Sequence, residues 1–226
     1  MPSVEGIRLK LRNKVCIPLT CKMRGKRLKN KEFTIISNNC WGGTVYEAHN
    51  LQKQSPTIGL FFIADDYIRF LKHLSEYLES PLSFISPSES KWKDMKEVSG
   101  DSRFGSYPIA TLSIECEGNT ESIEVFFLHY HSEEEARDKW KRRCKRINWD
   151  RLLVKFDDQN GCTEEHIREF NQLPFKNKIC FTVKNYPEYE CTVKINVPSS
   201  HEFIRASYEP FGRRKEINVT DILNGL

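Results

Sequence analysis

The stretch from Phe33 to Glu47 constrains this chain more than any other. Phe33-Thr34-Ile35-Ile36 is β-branched and aromatic and is bounded by polar residues, the composition of a buried strand. It runs into Ser37-Asn38-Asn39, which has the composition of a turn. After Gly42-Gly43, Thr44 is placed to cap a helix, and Glu47 three residues on closes a capping box. Strand, Asn/Gly-rich turn and helix in that order form the opening unit of an α/β sheet.

The rest of the chain extends that pattern. Ile58-Gly59-Leu60-Phe61-Phe62-Ile63 is a continuous apolar run, and Tyr67, Phe70, Leu71, Leu74 and Leu78 follow at helical spacing behind Asp65-Asp66, which reads as a helix start. Residues 86–106, rich in Ser, Lys, Asp, Glu and Gly, read as a surface excursion. Residues 107–116 and 123–128 have strand composition, with Glu117-Gly118-Asn119 between them as a hairpin turn. Ser132 caps a helix and Glu135 closes its box; Ala136, Trp140, Cys144 and Ile147 line one face. Leu152-Leu153-Val154-Lys155-Phe156 is a strand that runs into Asp157-Asp158. Thr163 caps a helix carrying Ile167, Phe170 and Leu173, and a strand follows over 178–183. Cys191, Val193, Ile195 and Val197 alternate as an edge strand does. Strand–helix–strand order over 123–183 implies right-handed crossovers. The expected fold is α/β: a mostly parallel, Rossmann-like sheet flanked by helices, with an antiparallel edge or hairpin. Residues 1–30 read as a basic arm, amphipathic or extended, and 31–226 as one α/β domain.

Composition narrows the function classes. The 226 residues are 38% apolar and 29% charged, enough to bury a sizeable core. No run of about 18 apolar residues occurs, so no transmembrane helix is expected. The first ten residues lack the apolar core of a secretory signal, and a cytoplasmic location is expected. In that reducing compartment the eight cysteines are expected as free thiols, and their spacing matches no zinc site; no metal and no cofactor are expected. The net charge of +4 is unevenly spread. Ten basic residues lie between Arg8 and Lys31 with no acidic residue among them, and a second basic run lies over 139–151. Such runs attract phosphates or anionic lipid headgroups, or else form a solvated face. They lack the interleaved aromatics of a nucleic-acid recognition motif, and no nucleic-acid partner is expected.

Ligands of open α/β sheets bind at the carboxyl ends of the strands. Three loops fit: Asn38-Asn39-Cys40-Trp41-Gly42-Gly43, His129-Tyr130-His131 and Asp157-Asp158. If their strands are neighbours, a thiol, an imidazole and a carboxylate meet at one edge. Cys40 would then attack, His129 would take or return the proton, and Asp157 would orient it. A cysteine ahead of a helix would have its pKa lowered. Each residue also has a structural reading: Cys40 as packing beside Trp41, His129 as a hydrogen-bonded strand end, the aspartates as turn formers.

The ordered set Phe33-Thr34-Ile35-Ile36-Ser37-Asn38-Asn39-Cys40-Trp41-Gly42-Gly43, Ser55-Pro56-Thr57, Asp66-Tyr67-Ile68-Arg69-Phe70-Leu71, Tyr107-Pro108-Ile109-Ala110, His129-Tyr130, Lys139-Trp140, Arg143 and Arg146-Ile147-Asn148 resembles a bacterial family of exopolysaccharide and capsule biosynthesis proteins. The resemblance implies a role in making or decorating a surface polysaccharide. It brings no established reaction, and it marks Asn38, Asn39, Cys40, His129, Tyr130, Lys139, Arg143 and Arg146 as motif positions. A looser similarity to papain-like thiol enzymes rests on a Cys near the start and a later His. The sequence departs from those proteases, whose Cys begins a long helix and whose Asn follows the His in a β domain, and peptidase activity is not expected. The expectation is a transferase that modifies a glycan or its nucleotide- or lipid-linked precursor, with a sugar-containing or phosphorylated small-molecule substrate. Catalysis would fall to Cys40, His129 and Asp157. Asn38, Asn39, Trp41, Gly42, Gly43, Tyr130, Lys139, Arg143 and Arg146 would contact the substrate, and the basic arm would touch the inner membrane surface. The alternatives are a non-enzymatic precursor-binding or scaffold protein and a Cys-His thiol hydrolase.

Overall fold

The computed structural model describes residues 4–226. In chain order its elements are α1 (Val4–Leu11), α2 (Ile17–Lys26), β1 (Thr34–Ser37), α3 (Trp41–Ala48), α4 (Ala64–Lys72), α5 (Leu74–Glu79), β2 (Ser83–Ile85), α6 (Lys96–Ser99), β3 (Ile109–Cys116), β4 (Asn119–Phe126), α7 (Glu133–Cys144), β5 (Leu152–Asp157), α8 (Glu164–Gln172), β6 (Lys178–Thr182), β7 (Thr192–Lys194) and α9 (Val219–Gly225). The main sheet is fully parallel in the order β1-β5-β6-β7. A second, antiparallel sheet has the order β2-β3-β4.

The α/β class with its hairpin is as expected, but the strand over 123–128 is not part of the parallel sheet. It pairs antiparallel with β3 from Cys116↔Asn119 to Ile109↔Phe126. A two-residue turn makes that pairing local: Glu117 (φ 51°) and Gly118 (φ 80°) both adopt the left-handed backbone that matches strand twist. The apolar run 58–63 joins the two sheets. The Phe61 N–H donates to the Phe126 carbonyl at 2.9 Å, and the Phe62 N–H donates to the Asn38 carbonyl at 3.0 Å.

Alternation on β5 puts Leu152, Val154 and Phe156 into the larger core with Phe62, Tyr67, Phe70, Trp140 and Phe170. Their aromatic rings pack at centroid distances of 5.0 Å (Phe62–Phe70), 5.7 Å (Tyr67–Phe156) and 5.3 Å (Phe156–Phe170). Leu153, on the other face, joins Phe33, Ile35, Trp41, Tyr46 and Phe181. The 86–106 excursion is tied down by Asp66, which is more than a helix start. Its buried carboxylate accepts from the Lys91 ammonium and the Trp92 indole, both at 2.6 Å, and from the Glu124 N–H at 2.9 Å.

The helix after β1 begins at Trp41, three residues before the expected Thr44 cap. The Asn39 side-chain oxygen accepts from the Trp41 N–H at 3.0 Å and so initiates it earlier. Ser132 and Thr163 cap α7 and α8 as their sequences predict.

The amino-terminal basic segment is helical rather than extended. Its first three positions lie outside the described residues. A single π-turn over Arg12–Cys16 links α1 to α2 just before Pro18, whose missing N–H interrupts the regular ladder. The helix rests on the domain: Ile17, Gly25 and Leu28 are buried, and the Ser207 N–H donates to Glu5 at 3.1 Å. Gly25 is where α2 crosses the end of α3. A Cβ there would stand 2.4 Å from the His49 carbonyl oxygen. Alanine normally stabilises a helix interior by about 1 kcal/mol over glycine, but here it has to push two backbones apart. Gly25→Ala is expected to lower the melting temperature. An unchanged or higher value would show that the helix does not dock at this point.

Candidate functional site

β1 and β5 end side by side, in parallel register from Thr34↔Leu152 to Ser37↔Lys155. The residues that follow therefore meet at the carboxyl edge of the sheet. Lys155 and Asp157, two apart on one strand, point to the same face. The Lys155 side chain is wholly buried. Its ammonium lies 2.5 Å from Asp157 Oδ2 and 2.5 Å from Glu209 Oε1, and it also donates to the side-chain oxygens of Asn39 (3.0 Å) and Asn38 (3.3 Å). The two asparagines close the network from their amide ends. Asn38 Nδ2 donates to Asp157 Oδ1 at 2.8 Å, and Asn39 Nδ2 donates to Asp157 Oδ2 at 2.7 Å and to Glu209 Oε1 at 3.0 Å.

One buried cation thus serves two buried carboxylates, and their titrations are pushed apart. Burial alone would raise Asp157, but the Lys155 charge and the hydrogen bonds outweigh it and hold this carboxyl below its usual range. Burial, reinforced by the Asp157 charge, pushes Glu209 up despite Lys155. Lys155 stays protonated: burial opposes its charge, and both carboxylates restore it. Glu209 is the member of the cluster poised to exchange a proton near neutral pH.

Glu209 and Asn39 also line a cavity of about 540 Å³ at this edge, with Cys40, Thr44, Phe61, Gln159 and Asn160. Arg12 from the amino-terminal helix and Lys96, Glu97, Asp101 and Arg103 from the 86–106 excursion also line it. A second cavity of about 350 Å³ meets it at Arg12 and Glu209, and its other lining includes Arg8, Arg24, Arg213 and Arg214. Arg8 lies 4.0 Å from the centre of the Tyr208 ring and Arg24 5.0 Å from that of Phe211, so aromatic faces rather than carboxylates hold them. Arg12 is partly desolvated, which lowers its pKa, and it donates to the Ala206 carbonyl at 2.5 Å. Among the described residues no carboxylate lies within ion-pair distance of Arg8, Arg12, Arg24, Arg213 or Arg214. Such a cleft suits a multiply charged oxyanion.

Of the residues singled out from the sequence, Asn38, Asn39, Cys40 and Asp157 come together here. Cys40 lines the cavity, but its thiol differs from the expected activated one. Burial first, and then the Glu209 charge, push its pKa up to about 12, and this outweighs the helix N-terminus. Trp41 is core: its indole donates to the Pro210 carbonyl, and its ring packs edge-on against Phe181. Gly42 and Gly43 are buried too. Cβ atoms on them would come within 3.3 Å of Ile35 and 3.1 Å of Ile58, so they serve close packing of α3 on β1 and on the 58–63 run.

His129 follows β4, from the other sheet, and its N–H donates to the Gly59 carbonyl at 2.9 Å. Burial first, and then the charges of Arg103 and Lys53, depress its pKa. Its side chain lines neither cavity, and among the described residues it is hydrogen-bonded to neither Cys40 nor Asp157, so the expected thiol–imidazole–carboxylate set is not assembled. Tyr130 and Arg143 are buried and bonded to each other at 2.6 Å, and both donate to the Ile58 carbonyl, which anchors α7 to the linking run. Lys139 pairs with Glu135 beside the Tyr130 ring, and Arg146 is half-buried beyond the end of α7. Neither these two nor Arg143 lines either cavity.

Sequence reasoning missed Lys155, Glu209 and Arg12. A lysine inside an otherwise apolar strand, two before an aspartate, was a usable signal for the first. Tyr208-Glu209-Pro210 carries none, because its partners are more than 50 positions away. All eight cysteines are free thiols, and among the described residues no cluster of His, Cys, Asp and Glu is arranged to hold a metal ion. No described helix is long and apolar enough to cross a membrane.

Residues 11–223 match the family described as "Domain of unknown function (DUF1919)", and the chain belongs to that family. It is 34% identical over 165 residues to an uncharacterized protein of Haemophilus influenzae, an alignment covering 73% of this chain and 68% of that one.

The high pKa of Cys40 gives a direct expectation. Near neutral pH iodoacetamide should modify exposed Cys16 before Cys40, read by mass spectrometry of partly labelled protein. Preferential labelling of Cys40 would restore it as a nucleophile.

Proposed function

We propose that this chain is a transferase of surface-polysaccharide biosynthesis, acting on a sugar whose donor carries a phosphate or pyrophosphate. The observation that carries this reading is the meeting of two cavities at Arg12 and Glu209, one rich in arginine and the other lined by polar side chains. The arginine side suits the phosphates of a nucleotide- or lipid-linked donor. Asn39, Thr44, Gln159 and Asn160 on the other side suit hydroxyl groups of a sugar.

Glu209 stands between them as the proton acceptor. In the proposed step an acceptor hydroxyl gives its proton to the Glu209 carboxylate while its oxygen forms a bond to the sugar carbon of the donor. The carbon–oxygen bond to phosphate breaks, and its electron pair leaves with the phosphate, which the arginines stabilise. A carboxyl raised toward neutrality suits that task better than an ordinary one, and the buried Lys155 and Asp157 fix its position. His129 lines neither cavity and has no part in this step. Cys40 lines the pocket in this scheme and makes no covalent bond.

Nucleotide sugars and polyprenyl-phosphate analogues are the ligands to screen, by the rise in melting temperature that native-state binding brings. With the donor so found, Glu209→Gln is expected to bind it and to lose at least about 100-fold in turnover. Arg12→Ala is expected to weaken donor binding about tenfold or more. Binding without turnover by the wild type would make it a precursor-binding protein instead. Absence of any shift with phosphate-bearing sugars would overturn the assignment.

A further inference from the structure

Among the described residues eight large hydrophobic side chains are exposed, and six of them lie on the amino-terminal helix: Val4, Ile7, Leu11, Val15, Leu19 and Met23, with 42–79% of each accessible. Five are spaced by four residues. In a regular α-helix each such step advances 400°, so a stripe of this period drifts by about 40° per step. The π-turn over Arg12–Cys16 is wider than an α-turn and sets the drift back midway, so apolar positions on both sides of it stay on the outer face. The inner face is spent on the domain through Ile17 and Gly25, and Leu28 is buried just past the helix end.

The stripe lies in strongly basic surroundings. Arg8, Lys10, Lys14, Lys22, Lys26 and Arg27 are exposed along the same helix, and residues 6–31 include no acidic side chain. An apolar stripe flanked by cations and held on a folded domain has the anatomy of a helix lying in a membrane interface. A second copy of the chain fits poorly, because a symmetric seam would bring two such basic flanks together.

We propose that this helix docks the protein onto an anionic lipid bilayer, with Val4, Ile7, Leu11, Val15, Leu19 and Met23 in the acyl–headgroup boundary and the flanking lysines and arginines against lipid phosphates. Leu11 and Arg8 also line the arginine cleft, so docking brings that cleft to the membrane surface. The inference does not depend on the transferase reading, since it concerns a surface and not turnover.

The test is co-sedimentation of the full chain with vesicles of phosphatidylcholine, with or without about one-third phosphatidylglycerol. Binding is expected to be at least about tenfold stronger on the anionic vesicles and to weaken in about 0.5 M salt. Ile7→Asp/Leu19→Asp changes two exposed side chains and should melt as the wild type does, yet lose about tenfold or more in vesicle binding. Three results would overturn the proposal. They are no binding by the wild type, undiminished binding by the double variant, and a wild-type dimer that the double variant dissociates, which would make a second copy the occupant of the stripe.

Discussion

The architecture of the site depends on a lysine with no access to water. Lys155 sits mid-sheet on a strand flanked on both sides by parallel neighbours, where an unpaired ammonium would cost far more than the domain can spare. Its charge is tolerated because Asp157 and Glu209 both reach it and because the side-chain oxygens of Asn38 and Asn39 share the remaining N–H. Each partner comes from a different part of the chain: the end of β1, the end of β5 and the segment before α9. The cluster therefore fastens the carboxyl-terminal region to the sheet and fixes the one carboxyl that faces both cavities. Asp158 adds a second tie, since its carboxylate accepts from the N–H groups of Val183 and Ile204, both at 2.7 Å.

Two further constraints give the edge its shape. The run 58–63 is hydrogen-bonded to the end of each sheet, so the antiparallel layer and its following turn stay beside the parallel one. Asp66 then pins the start of the 86–106 excursion, from which Lys96 and Arg103 reach the rim. On the opposite side the amino-terminal helix supplies Arg12. The basic amino-terminal segment thus supplies Arg12 to the candidate site and carries an apolar stripe on its exposed face.

Much of the fold was legible because it is encoded locally. The strand at Thr34–Ser37, the hairpin turn at Glu117-Gly118 and the caps at Ser132 and Thr163 each depend on residues within a few positions. Which sheet a strand joins is a long-range matter. Residues 123–128 look alike in either pairing, and the short connection to β3 decided for the antiparallel one. The site was half legible for the same reason. Asn38, Asn39 and Cys40 follow the end of β1 and Asp157 is the last residue of β5, strand ends that can be recognised, and they do converge. Glu209 and Arg12 are set by tertiary contacts across 54 and 194 positions, from Lys155 to Glu209 and from Arg12 to Ala206. Trp41, Gly42, Gly43, Tyr130 and Arg143 stand out in the sequence, and the structure accounts for them by packing: the first three seat α3, and the last two hold α7.

The measurement that tests this account most directly is denaturant unfolding of Lys155→Met beside the wild type across pH. With the ammonium gone, Asp157 and Glu209 remain buried without a counter-charge, and the variant should lose about 3–5 kcal/mol near pH 8. Both carboxyls would then titrate above their unfolded values in the folded variant. Its stability should fall as pH rises through that range and recover toward pH 5 as the groups take up protons. A deficit that shrinks on acidification is the predicted result. A loss below about 1 kcal/mol, or one that does not change with pH, would contradict the claim that this buried cation holds the site together.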